Sequence, residues 1–272
     1  MPKEARMTEF GKRYGPTAVI TGAAGGIGAG FARVLASRGF DLVLTDINAD
    51  GLQRTADDLS AQHSHAVRTV VLDMTDPTAP QSLADFSSEC DVGLVIVNHL
   101  FPGGSWQVLD TEVAQLNAQL DANVRAYVGL ARIFGDRMRQ RGRGGLVLMS
   151  SLTAVVGSPY VTTYGASKAF ILAFGSGLGY ELRSSNVDVL TLVPSSVNTE
   201  TYRRSARKPS RLFPPMEVDD FVEQGLAKLG KRWVAVPGAR NAVTAGMLTR
   251  ILPRQAATSV MGRNMESMLR AH

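Results

Sequence analysis

Seven short apolar runs alternate with amphipathic stretches along almost the whole chain, and this alternation constrains the fold more than any other feature. TAVIT (17–21), DLVLTD (41–46), VRTVVLD (67–73), VGLVIV (92–97), GGLVLMS (144–150), VDVLTLV (187–193) and RWVAV (232–236) are rich in β-branched residues and read as buried strands. Residues 26–38, 50–61, 77–88, 112–139, 162–184 and 217–230 repeat apolar side chains at three- and four-residue spacing, which predicts helices. Connections of that length are too long for hairpins, so the strands should run parallel with helices on both faces. The expectation is one α/β domain over residues 1–272, a doubly wound parallel sheet.

Two segments depart from the rhythm. Residues 199–216, rich in Arg and Pro, are too long for an ordinary connection and read as a mobile flap. From about residue 238 a helical pattern resumes and should split or kink at Pro253. Its Met, Leu and Ile with spaced Arg suit packing against a subunit or the core, which outweighs contact with a membrane surface.

Composition removes several function classes. The lone Cys90 forms no bridge within the chain, and four scattered His supply no ligand set for zinc, so no metal is expected. The opening residues lack the apolar centre of a secretory signal and no apolar stretch is long enough to span a membrane, so a cytoplasmic location is expected. The net charge of +5 is unevenly placed: residues 200–272 carry 13 Lys and Arg against 6 Asp and Glu, residues 1–199 carry 16 against 18. Without aromatics interleaved among the cations or a reader motif, no nucleic-acid partner is expected.

The first strand runs into TGAAGGIG (21–28) and then a helix. Glycines at 22, 26 and 28 allow a tight turn, close approach of a pyrophosphate, and close packing of helix on sheet, with the helix amides facing the anion. Asp46 ends the second strand, 18 residues beyond Gly28, where a carboxylate can accept hydrogen bonds from an adenosine ribose. It would repel a 2′-phosphate, and residues 47–50 offer no cation, so NAD is preferred over NADP. Asp46 could instead cap the helix starting near Ala49. Asp73, after the third strand, suits an adenine contact or a turn.

Tyr164 and Lys168 stand at i and i+4 on one helix. A nearby ammonium favours the phenolate and should lower the tyrosine pKa toward working pH, as a general acid/base for an alcohol or ketone requires. Ser151, 13 residues upstream, could hydrogen-bond the substrate oxygen.

With these motifs in this order, residues 15 to 200 resemble the short-chain dehydrogenase/reductase family, whose fold is of the Rossmann type. TGAAGGIG resembles its cofactor loop, Ile27 included, and Asn123, Ser151, Tyr164 and Lys168 resemble its catalytic tetrad. The resemblance implies that Tyr164 moves the hydroxyl proton, Lys168 also holds the nicotinamide ribose, Ser151 orients the carbonyl oxygen, and Asn123 supports a water beside Lys168. Asn123 could equally kink its helix. Asp73 is implied as the adenine contact, Asn98, Val197 and Thr199 as further cofactor contacts, and a homodimer or homotetramer as the assembly.

Two motifs differ from the family pattern. Its NNAG reads Val97-Asn98-His99-Leu100, followed by FPGG (101–104), so His99 or Trp106 could reach a substrate. Its PG reads Pro194-Ser195, and the serine should cost backbone freedom. The expected function is NAD-dependent interconversion of a secondary alcohol and a ketone, on a small-molecule substrate that is bulky or lipophilic (steroid, aryl or fatty acyl). Trp106, Met149, Leu212, Phe213 and Met216 suggest that apolar rim. Arg203, Arg204, Arg207, Lys208 and Arg211 could serve a phosphate-bearing substrate or simply be solvated. The alternative function is a dinucleotide sensor or partner-binding protein that has lost turnover.

Overall fold

The computed structural model describes residues 8–101, 107–205, 210 and 213–269. Its strands are β1 (Thr17–Thr21), β2 (Asp41–Asp46), β3 (Val67–Val71), β4 (Val92–Val97), β5 (Gly144–Met149), β6 (Val187–Leu192) and β7 (Val234–Ala235). Its helices are α1 (Glu9–Tyr14), α2 (Gly26–Ser37), α3 (Ala49–Gln62), α4 (Ala79–Phe86), α5 (Val113–Leu120), α6 (Ala126–Arg141), α7 (Thr162–Leu182), α8 (Glu200–Ser205), α9 (Val218–Leu226), α10 (Ala239–Arg250) and α11 (Arg254–Leu269). The strands form one parallel sheet in the order β3-β2-β1-β4-β5-β6-β7, a doubly wound α/β domain.

Strand alternation divides the core in two. Ala18, Ile20, Leu42, Leu44, Leu94 and Ile96 face α2, α3 and α9. Val19, Val43, Val95 and Val97 face α4, α6 and α7, where Tyr127, Leu130 and Phe134 pack. A one-residue slip would exchange the two sets, so register is strongly specified. A third cluster, with Leu152, Phe213, Leu248, Ala257 and Met261, lies outside the sheet and joins α10 and α11 to the loops after β5 and β6.

Several elements differ from the sequence expectation. The helix expected over 112–139 is interrupted by a π-turn at Asp121–Arg125 that contains Asn123. β3 stops at Val71, because Asp73 turns the chain by accepting from the Thr75 amide and hydroxyl, each at 2.8 Å. β7 keeps only two residues at the sheet edge. The segment read as a flap contains α8 and buries Ser210 and Phe213. The short α1 was not foreseen; it begins at the Thr8 cap, and Tyr14 donates to Asp188 Oδ2 at 2.6 Å.

Helix α7 approaches β6 through Gly175, where an added Cβ would lie 2.0 Å from Thr191 Oγ1. Gly177, on the exposed side of the same helix, has nothing within 4 Å of that position. Gly175→Ala should destabilise the protein by about 1–3 kcal/mol through overpacking. Gly177→Ala should stabilise it by about 0.5–1 kcal/mol through the entropy of the unfolded chain. Thermal unfolding of the two variants therefore gives Tm changes of opposite sign, and equal changes would contradict this packing.

Candidate active site

All seven strands point their carboxyl ends to one edge, and winding reverses between β1 and β4, leaving a crevice there. The Thr21 hydroxyl, fully buried at the end of β1, ties the two loops of that crevice together. It accepts from the amides of Asn98 at 3.0 Å and His99 at 3.2 Å. The Asn98 side chain donates to the carbonyls of Thr21 at 3.2 Å and Gly22 at 3.1 Å.

His99 completes this clamp. Its Nε2 lies 2.9 Å from the Ala122 carbonyl, which only accepts, so Nε2 carries the proton. Its Nδ1 then accepts from Thr21 Oγ1 at 2.7 Å. Burial pushes the imidazole down to about 3, with the Lys168 charge acting in the same direction and the Ala122 bond opposing. His99 is therefore a neutral structural group. It borders the cavity at Asp46 and is absent from the lining of the cavity at Tyr164, so of the two readings open for it, reaching a substrate or packing, its contacts are those of packing. Trp106 and residues 102–104 lie outside the described residues.

The glycine loop is built for close approach. Gly22 has φ +68°, and a Cβ at Gly28 would stand 1.9 Å from the Gly22 carbonyl oxygen. No side chain caps the amino end of α2 and its first turn holds no acid, which leaves an anion site of the kind a diphosphate occupies. Thr199 stands across from Gly26, a Cβ there coming 3.3 Å from its Cγ2, and Ile27 lines the neighbouring cavity. Asp46 accepts from the Ala24 amide at 2.9 Å and the Asn48 amide at 3.0 Å. The cap of α3 is Asn48, accepting from Gly51 N at 3.1 Å, so Asp46 is not the helix cap.

Two cavities lie at this edge, and half-exposed Leu100 borders both. One, of about 290 Å³, is bounded by Asp46, Ile47, Leu72, Asp73 and Met74. The other, of about 300 Å³, has Ser151, Tyr164 and Lys168 at its base and Leu152, Phe213 and Met261 among its walls. One cavity thus holds an acid and the other the proton-transfer groups, and the glycine loop borders both, through Gly22 on the first and Ile27 on the second. These residues fit a nicotinamide dinucleotide.

At the proton-transfer end, Ser151 shares a hydrogen bond with Tyr164 that favours the phenolate, but burial prevails and pushes the phenol above its ordinary value. This differs from the expected lowering. Lys168 donates to the Met149 carbonyl at 3.0 Å and to Tyr127 Oη at 3.1 Å, and its Nζ sits 5.9 Å from the Tyr164 ring centroid. Burial pushes Lys168 down to about 7. Asn123, fully buried, accepts from the Phe101 amide at 2.9 Å, so it occupies the π-turn and also pins the loop after β4.

Ser195, expected to cost backbone freedom, keeps a negative φ, and its hydroxyl accepts from Asn241 Nδ2 at 2.6 Å, tying α10 to the end of β6. Val197 forms a bridge with Met216, and its carbonyl accepts from Thr199 N at 2.7 Å. Of the basic cluster, Arg203 bonds Asn198 and Arg204 pairs with Glu200; Arg207, Lys208, Arg211 and the apolar Leu212 lie outside the described residues. Sequence reasoning missed Tyr127, whose one-turn spacing from Asn123 was the available signal. It also missed Met261, Asn264 and Met265, which α11 brings to the Tyr164 cavity.

Comparison with known proteins places these features in context. Residues 16–210 match the family model for short chain dehydrogenases. The chain is 26% identical over 234 residues to the 7beta-hydroxysteroid dehydrogenase of Clostridium sardiniense, covering 85% of this chain and 89% of that protein. A solved 7beta-hydroxysteroid dehydrogenase superposes with TM-score 0.86 at 21% identity, over 93% of this chain and 99% of the other. A short-chain dehydrogenase from Sphingobium yanoikuyae in complex with NADPH superposes with TM-score 0.75 at 28% identity, over 94% and 98%.

The neutral His99 has a measurable consequence. The unfolded chain takes up a proton on this imidazole below about pH 6.5, whereas the folded chain does so only near 3. Acidification from pH 7 to 5 should therefore cost about 2 kcal/mol of stability through this residue alone. Nitrogen-15 NMR should show a neutral, Nε2-protonated ring that does not titrate between pH 8 and 5. A His99 midpoint near 6.5 would contradict the assignment.

Proposed function

The chain belongs to the short-chain dehydrogenase/reductase family and is an NAD(P)-dependent oxidoreductase of alcohols and ketones; from that premise we propose that it acts on a bulky, lipophilic secondary alcohol or its ketone and uses NAD(H). The observation that carries the reading is a pair of cavities that share Leu100: one, walled by Leu152, Phe213 and Met261, has its polar base at Tyr164 and Ser151, and the other is bounded by Asp46. The relative in Clostridium sardiniense, a 7beta-hydroxysteroid dehydrogenase, supports a substrate of that bulk.

The bound nicotinamide supplies the hydride acceptor or donor. The protein's own residues handle the oxygen and its proton. Tyr164, protonated because burial raises its pKa, gives its proton to the carbonyl oxygen during ketone reduction and recovers it from the hydroxyl in the reverse direction. Ser151 donates to the same oxygen as negative charge develops on it. Lys168 provides positive charge behind the phenol, which limits the cost of a transient phenolate. At the far end Asp46, held by two backbone amides, would accept from the ribose hydroxyls and repel a 2′-phosphate.

Tyr164→Phe should lower kcat with a bulky ketone and NADH by about 100-fold or more while leaving NADH affinity nearly unchanged. In the wild type, kcat/KM should favour NADH over NADPH, and Asp46→Ala should narrow that ratio by about tenfold. Steady-state kinetics and fluorescence titration check both. Protein that binds NADH, reduces no member of a broad carbonyl panel and is indifferent to Tyr164→Phe would instead be a dinucleotide sensor.

A further inference from the structure

Proton transfer through Tyr164 gives no part to Tyr127, a polar residue buried beside Lys168. Tyr127, on α6 one turn beyond Asn123, is fully buried. The Lys168 ammonium lies 4.5 Å from its ring centroid and donates to its hydroxyl at 3.1 Å. The hydroxyl in turn donates to the His99 carbonyl at 2.8 Å.

The direction of these bonds is fixed. A carbonyl only accepts, so the single Tyr127 proton is committed to His99, and the phenol oxygen faces Lys168 as an acceptor. The other partner of Lys168 Nζ, the Met149 carbonyl at 3.0 Å, is also an acceptor. Two acceptors stabilise an ammonium and give nothing to a neutral amine's lone pair. Among the described residues, the titratable groups facing Lys168 are Tyr127 from α6, Tyr164 from α7 and His99 from the loop after β4. His99 is neutral, and burial keeps both phenols protonated, so none of the three supplies a negative charge. The two hydrogen bonds therefore carry the support that an ion pair would otherwise give.

The His99 carbonyl is itself anchored, since the His99 amide and ring are both bound to Thr21 at the root of the glycine loop. We propose that Tyr127 is a positioning residue that favours the ammonium form of Lys168 and fixes its place behind Tyr164 relative to the cofactor loop. This rests on the proton-transfer reading given above.

The test uses full-length protein carrying carbon-13 at lysine Cε, with the Lys168 resonance assigned by its loss in Lys168→Met. Tyr127→Phe keeps the ring and removes the acceptor. The Lys168 titration midpoint should fall by about one pH unit, the loss of one charge-assisted hydrogen bond. The alkaline limb of kcat for ketone reduction should move down by the same interval, with KM changed by less than about twofold. Para-aminophenylalanine at position 127 keeps an N–H donor toward His99 but offers Lys168 a poorer, uncharged acceptor, and should shift the midpoint in the same direction by less, which keeps the test alive if the phenylalanine variant does not fold. An unmoved midpoint in a folded variant overturns the proposal. A lowered midpoint in protein without turnover would support the hold on Lys168 and count only against the oxidoreductase reading.

Discussion

One buried hydroxyl sets the geometry on which the rest of the site depends. Because all strands run in one direction, their carboxyl ends form a single edge, and the loops after β1 and β4 must part where the winding reverses. Thr21 holds them in register by accepting two amides and donating to His99. The Ile96 carbonyl, at 3.5 Å, is a poorer destination for that proton than the His99 nitrogen at 2.7 Å. The glycine loop, the Asn98 carboxamide and the carbonyl used by Tyr127 all take their positions from this contact.

The electrostatics of the edge follow from burial. The Asp46 carboxylate at one end is held by backbone amides, whereas at the other end an imidazole, two phenols and a lysine are enclosed with few charged neighbours. Neutral forms are favoured there, which suits a phenol that must hold a proton until an oxygen arrives. The one cation needed, Lys168, is sustained by hydrogen bonds rather than by an ion pair. The basic excess of the chain lies in residues 200–272, away from these groups in sequence. Within the cluster at 203–211, the described Arg203 and Arg204 are engaged by their own neighbours.

Strand identity, strand direction and the placing of Tyr164 with Lys168 on one helix after β5, with Ser151 at the end of that strand, were legible from local patterns: apolar runs, a glycine loop, a four-residue helical spacing; Asn123 was named only through the family resemblance, and it bonds the loop after β4. What was not legible depends on which partner wins a competition in three dimensions. His99 looked available for chemistry until Thr21 and Ala122 took both ring nitrogens. The expected lowering of the Tyr164 pKa assumed that proximity to a cation decides the matter, but desolvation outweighs it and Lys168 bonds elsewhere. Ser195 read as a loss of flexibility and is instead a tether for α10. The C-terminal helix looked like packing surface, and part of it is, yet Met261 and Asn264 also border the substrate-side cavity. No periodicity could show which chamber that face would close.

The central claim is that one groove carries a dinucleotide from Asp46 to Tyr164. A crystal structure of the protein with NADH tests it most directly. The account predicts the diphosphate at the amino end of α2, the adenine ribose hydroxyls on Asp46, and the nicotinamide beside Tyr164 and Lys168. Dinucleotide density outside this groove, or a ribose turned away from Asp46 with the nicotinamide remote from Tyr164, would contradict it.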